Sequence, residues 1–219
     1  MQLLLDSAVI EEARQASDWG WVVGATTNPT LLAQCGLPPS KALKKLGKLF
    51  KGPVFYQLTG TSLESMKTEA AIAEDILGKQ LVLKIPATAL GFQACARLSN
   101  KFICAVTSIF TPAQALVAHT AGARYALYYH NRAKRLLDDG ANLAHKLMAT
   151  LARTDTRVVA ASLKSPEELL EARLAGVPIL SAKFDVLAQL PLNKHADAAF
   201  KEFQKNGVGL LDSAPAEAL

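Results

Sequence analysis

Short apolar runs alternate with longer amphipathic stretches along most of the chain. The runs at 2–6 (QLLLD), 22–26 (VVGAT), 53–58 (PVFYQL), 81–85 (LVLKI), 102–107 (FICAVT), 124–129 (RYALYY), 157–162 (RVVAAS) and 177–181 (VPILS) predict eight strands. Between them apolar residues recur at roughly helical spacing, most clearly at 62–77, 88–99, 111–121, 135–153 and 165–175. Ser165-Pro166 before Glu167-Glu168 supplies a cap, a first-turn proline and early acids; Gly78 and Gly176 stand where helices should stop.

Eight strand–helix units in succession predict the α/β class with a parallel sheet. An open doubly wound sheet usually carries a glycine-rich loop after its first strand, whereas here that strand leads into Asp6-Ser7-Ala8. The pattern therefore predicts a (β/α)8 TIM barrel over 1–193. One more helix (about 194–205) and a loosely ordered tail from Gly209 to Leu219 follow, with 194–219 counted in the same single domain.

Strands of such a barrel are covered by helices outside and filled by side chains inside, so both faces should be apolar. Seven polar residues break this rule, each at or just past the C-terminal end of a different strand: Asp6, Asn28, Gln57, Lys84, Thr107, Tyr129 and Ser162. Barrels of this type draw their catalytic groups from that end. The pleat places residues two apart on one face. Lys84 then shares a face with Val82, Gln57 with Phe55, Asp6 with Leu4, and Thr107 with Ala105 and Ile103. Tyr129 likewise goes with Leu127 and Tyr125, and Ser162 with Ala160 and Val158, while Leu81, Leu83 and Ile85 face the helices. All the polar groups are expected to meet in the mouth of the barrel.

Lys84, inside an otherwise apolar run, must either snorkel to solvent or be used. Burial favours a neutral amine over an ammonium, and a neutral amine beside acid–base groups is what imine formation with a carbonyl requires. Singly, the other residues have blander readings. Asp6 can cap a helix beginning at Ala8, Asn28-Pro29 can start a helix, and Ser162 and Arg132 can be a cap and a surface charge. Their shared position at one rim argues against each.

Composition narrows the partners. Half the residues are hydrophobic and the formal net charge is +5, which suits an anionic small molecule, and the scattered basic residues show no nucleic-acid stripe. Lys41, Lys44, Lys45, Lys48 and Lys51 fall at helical spacing and read as a solvated helix face. Asp6 ends the apolar start well before the ~7 residues of a signal-peptide core. No stretch nears the ~18 apolar residues of a membrane span, so a cytoplasmic location without membrane contact is expected. Cys35, Cys95 and Cys104 form no motif and are expected as buried free thiols. His119, His130, His145 and His195 lack ligand spacing, so neither a metal nor another cofactor is expected.

The segments Leu5-Asp6-Ser7, Gly24-Ala25-Thr26-Thr27-Asn28-Pro29-Thr30, Val82-Leu83-Lys84-Ile85-Pro86 and Ala160-Ala161-Ser162 resemble the small transaldolase and fructose-6-phosphate aldolase family in order and spacing, to about residue 205. The resemblance implies a class I mechanism with Lys84 as the imine-forming amine. It gives Asp6 a proton-transfer role, with Asn28 and Thr26 beside it at the donor hydroxyls. Gln57, Thr107 and Tyr129 would hold a water and move the carbinol proton, and Arg132, Ser162 and Lys164 would bind phosphate. A homo-oligomer, a pentameric ring or a decamer, is also implied, with the 194–205 helix against a neighbour.

Within the family, transaldolases generally carry Glu, Phe, Asn and Ser where Gln57, Tyr129, Ala105 and Leu127 stand. The Gln57–Tyr129 pair matches the aldolase pattern, since a neutral amide cannot act as a carboxylate base. Cleavage of a ketose phosphate such as fructose 6-phosphate is expected, with dihydroxyacetone or hydroxyacetone as donor and a glyceraldehyde 3-phosphate-like acceptor. Transaldolase is the alternative within the family, and a sugar-phosphate-binding barrel without turnover the alternative of another class. Leu127 and Ala105 read as a size exchange between neighbouring inner positions, making an apolar donor wall that favours hydroxyacetone.

Overall fold

A computed structural model describes residues 1–210. Eight parallel strands close into a barrel in sequence order: β1 (Gln2–Asp6), β2 (Val22–Thr26), β3 (Val54–Gln57), β4 (Leu81–Pro86), β5 (Cys104–Ile109), β6 (Tyr125–Tyr129), β7 (Arg157–Leu163) and β8 (Ile179–Ala182). Pairing of β1 with β8 completes the ring. The intervening helices are α1 (Ile10–Asp18), α2 (Pro29–Gln34), α3 (Pro39–Leu49), α4 (Leu63–Leu77), α5 (Ala89–Leu98), α6 (Pro112–Thr120), α7 (His130–Leu136), α8 (Leu143–Thr150) and α9 (Pro166–Leu174). α10 (Phe184–Gln189) and α11 (Lys194–Asn206) follow β8. The barrel unit is Met1–Leu187, and the described residues from Ala188 onward, α11 among them, fall in a second compact unit. The tail read from Gly209 lies, beyond Leu210, outside the described residues. Among the described residues no helix is long and apolar enough to cross a membrane.

Two apolar layers hold the barrel. Inside, Leu4, Phe55, Val82, Ala105, Leu127, Val159, Ala161 and Ile179 form one buried cluster. Outside, Leu83, Ile85, Val106 and Tyr128 are buried between strands and helices. The helices meet them with small residues (Ala13, Ala16, Ala70, Ala94, Ala115, Ala118 and Ala172 are all fully buried), which lets helix backbones approach the sheet closely. Caps fall where the sequence places them: Ser165 Oγ accepts from Glu168 N with Pro166 opening α9, and Gly78 and Gly176 take positive φ just past α4 and α9.

Three boundaries differ from expectation. The stretch 135–153 is not one helix. α7 starts directly at His130, and the chain turns at Gly140, whose missing Cβ would lie 2.0 Å from Ala133 O, before α8 begins. β5 starts two residues late, because the turn ending α5 uses the Lys101 and Phe102 amides on Leu98 O. β8 begins at Ile179, after Pro178, which has no amide hydrogen to donate. Of the three free cysteines, Cys95 and Cys104 are buried, but Cys35 is only half-buried, because it ends the short α2 at the surface.

Candidate active site

The C-terminal ends of the strands surround a cavity of about 540 Å³. Asp6 (β1), Asn28 (after β2), Gln57 (β3), Lys84 (β4), Tyr129 (β6), Arg132 (α7), and Ser162 and Lys164 at the end of β7 all line it. Thr26 and Thr107 are fully buried and reach it through partners: Thr26 Oγ1 donates to Asp6 Oδ1 at 2.8 Å, and Thr107 Oγ1 bonds the Tyr129 hydroxyl at 3.1 Å.

Lys84 is only 2% exposed. Its Nζ donates to Thr27 O at 3.1 Å and lies 6.0 Å from the Tyr129 ring centre. Thr27 is itself pinned, because both its amide and its hydroxyl donate to Phe55 O. The second threonine of the Thr-Thr-Asn-Pro segment thus aims a carbonyl at the amine. Asn28 has two roles: its Oδ1 caps α2 by accepting from Leu31 N, which leaves the amide NH2 on the cavity side. Asp6 does not cap α1. That helix starts at Ile10, and Ser7 takes the local work by accepting from Val9 N and bonding Glu12, so the Asp6 carboxyl is free for the cavity.

The acid–base groups are perturbed in opposite directions. Burial pushes the Asp6 carboxyl above its ordinary range, against the pull of Lys84, the Thr26 hydrogen bond, Lys164 and Lys183. Burial also works to raise the Tyr129 phenol. There the Lys84 charge, hydrogen bonds to Ser108 and Thr107, and Arg132 together win and hold it below the usual phenol value. The Arg132 guanidinium sits 4.6 Å from the Tyr129 ring centre. Lys84, Arg132, Lys164 and Lys183 line the cavity with one carboxylate, Asp6, a balance that attracts anions. Gln57 Oε1 is buried without a partner among the described residues. An orphan acceptor of this kind costs roughly 1–3 kcal/mol until something donates to it.

On β7 the pleat runs opposite to the sequence reading. Val159 and Ala161, not Val158 and Ala160, face inward. Ser162 still reaches the cavity because the strand bulges there and its φ turns to +60°. Leu127 and Ala105, expected on the donor wall, are fully buried in the cluster beneath the rim and neither lines the cavity, because Tyr129 occupies the inward position above Leu127. Four polar residues stand outside the sequence expectations, and one of them, Gln34, lines the cavity from the last turn of α2. Ser108 enters the cavity through a second bulge, with φ +64°, a feature without a sequence signal. Ser181 and Lys183 end the eighth strand on the face of Ile179, so the face rule used for the other strands would have found them. His119 bonds Thr156 and His130 bonds Tyr128 and Glu171, both away from the cavity.

A family model described as transaldolase/fructose-6-phosphate aldolase matches residues 3–214 of the chain. A protein named probable transaldolase from Hydrogenobaculum sp. (strain Y04AAS1) is 36% identical over 209 residues, covering 94% of this chain and 96% of that protein. Proteins of the same name are 33% identical with the same coverage in Aquifex aeolicus (strain VF5) and 35% identical over 206 residues, 93% and 94% of the two chains, in Kosmotoga olearia.

Proposed function

The chain belongs to the transaldolase/fructose-6-phosphate aldolase family, and from that premise we propose that it is an aldolase that cleaves and forms a carbon–carbon bond of a ketose phosphate through a Schiff base on Lys84. The observation that carries this reading is a lysine 2% exposed at the end of β4, its Nζ held beside a cavity rimmed by one acid and three further cations.

Lys84 Nζ adds to the ketone carbon and water leaves, giving an iminium. The bond between the next two carbons then breaks. Its electron pair passes into the iminium to form an enamine, and the carbinol hydroxyl loses its proton as the aldehyde departs. A water held by Gln57, Thr107 and the Tyr129 hydroxyl takes that proton; the orphan Gln57 Oε1 and the Thr107–Tyr129 bond support this assignment. The enamine is reprotonated and hydrolysed, with Asp6 carrying protons and holding donor hydroxyls together with Asn28. Arg132, Ser162 and Lys164 receive the phosphate; the guanidinium supplies a charge-assisted fork.

Gln57 and Tyr129 favour direct aldol cleavage over transfer, because proton movement is left to a phenol whose acidity is raised by its neighbours rather than to a carboxylate at position 57. The relatives' printed name favours transfer of a dihydroxyacetone unit instead. Incubation with fructose 6-phosphate alone separates the two readings: an aldolase releases aldehyde without any aldose acceptor, and a transaldolase does not. Borohydride reduction in the same mixture is expected to leave a substrate adduct on Lys84, lost in Lys84→Met. A wild-type protein that traps nothing and turns nothing over would be the silent binder. The ring-shaped homo-oligomer belongs to the same reading and is supported by the exposed Phe200 and Phe203 of α11.

A further inference from the structure

We propose that Ser181 is a positioning residue for Asp6, acting through Thr26 as a two-hydroxyl relay that keeps the carboxylate ionised and correctly turned. The inference rests on the reading of Asp6 as the proton-carrying carboxylate. β2, β1 and β8 are neighbours in the barrel, and they bring Thr26, Asp6 and Ser181 to one end. Thr26 Oγ1 lies 2.8 Å from Asp6 Oδ1 and 2.6 Å from Ser181 Oγ. A hydroxyl has one proton and two lone pairs. With the Thr26 proton directed at the carboxylate, Ser181 must be the donor to Thr26, so the series runs Ser181 to Thr26 to Asp6.

Both hydroxyls are fully buried, so bulk water does not compete for them. Two other buried hydroxyls, those of Thr27 and Thr156, spend their protons on the main chain, at Phe55 O and Ala123 O. Ser181 and Thr26 instead spend their protons in line on a carboxylate. Donation in series strengthens each bond, and it removes the freedom of Thr26 to rotate its proton away. The charged groups facing Asp6 are Lys84 from β4, Lys164 from the end of β7 and Lys183 from the end of β8. Along the reaction the Lys84 nitrogen is positive as the iminium and neutral as the enamine. Like the charges of Lys164 and Lys183, the relay stays in place while the Lys84 nitrogen passes between these states, offsetting the burial that works against ionised Asp6.

The test is the pH dependence of aldol formation from dihydroxyacetone and glyceraldehyde 3-phosphate in Ser181→Ala, Thr26→Val, Thr26→Ser and the double variant Ser181→Ala/Thr26→Val. Ser181→Ala is expected to lower kcat about tenfold, the loss typical of one buried hydrogen bond. KM should stay within about twofold and the acid limb should move to higher pH. Thr26→Val should act in the same direction and at least as strongly, and Thr26→Ser, which keeps the hydroxyl, should recover near wild-type behaviour. Because Ser181 works through Thr26, the double variant should be no worse than Thr26→Val alone. An unmoved acid limb in folded Ser181→Ala, or additive losses in the double variant, overturns the relay. Should Ser181→Ala fail to fold, equal acid limbs in Thr26→Val and wild type overturn it as well. Borohydride trapping alongside separates the two possible failures. An unmoved limb with adduct formed at Lys84 sinks the relay alone, whereas no adduct in the wild type sinks the Schiff-base reading beneath it.

Discussion

On β6, Tyr128 turns outward into the layer between barrel and helices, and Tyr129 turns inward to the cavity. The two phenols are adjacent in sequence; Tyr128 is fully buried and Tyr129 half-buried at the cavity. Tyr128 bonds His130 Nδ1 at 3.1 Å, His130 Nε2 bonds Glu171 Oε2 at 3.1 Å, and Lys134 Nζ donates to that same oxygen at 2.7 Å. Burial first, and the Glu171 charge second, push the Tyr128 phenol well above its ordinary value. Around Tyr129 the facing charges are cations, and its phenol is held down despite burial. Burial alone therefore does not make a reactive group. The sign of the charge across from it decides, and a single step along the pleat exchanges one environment for the other.

That contrast can be broken experimentally. Tyr129→Phe is expected to lower acceptor-free cleavage by about 100-fold or more, the usual worth of a positioned proton-transfer group, measured as aldehyde release from fructose 6-phosphate. A loss of less than about tenfold would remove Tyr129 from the proton path. The next effect is on the pH profile of kcat/KM. Asp6 works ionised, so activity falls as pH drops through its raised pKa; Tyr129 works protonated, so activity falls as pH rises through its lowered pKa. The bell should be narrower on both sides than free aspartate and tyrosine would give, and Tyr129→Phe should erase the alkaline limb of the residual activity. A limb that survives in that variant belongs to another group. The smallest effect is expected from Tyr128→Phe: catalysis within about twofold, and a stability loss of about 1 kcal/mol for one buried hydrogen bond, read by urea unfolding. If this variant impaired turnover as severely as Tyr129→Phe, the two faces of β6 would not be functionally distinct.

Much of the site was legible because a parallel barrel should be apolar on both strand faces, so Asp6, Gln57, Lys84, Thr107 and Tyr129 stand out at strand ends. The pleat correctly grouped Lys84 with Val82, Gln57 with Phe55 and Tyr129 with Leu127, since those inner residues share the buried cluster. It failed on β7, where Val159 and Ala161 point inward and a bulge turns Ser162 back to the cavity, and it missed Ser108 for the same reason. A serine with positive φ carries no signature in composition or periodicity; it is held there by the surrounding packing. For Leu127 the pleat reveals the face but not the depth, which lies below the rim.

By itself the sequence determined the eight-fold alternation, the family, and the set of polar groups at one end of the strands, because periodicity and residue type are local properties of the chain. Only the tertiary structure decided the aim of those groups: Lys84 on the Thr27 carbonyl, Thr26 and Ser181 in series on Asp6, Leu127 below the rim rather than on it. The reason is that distance, depth and the sign of facing charge arise from strands far apart in sequence, and closure of the barrel brings residues as distant as Asp6 and Ser181 into one network.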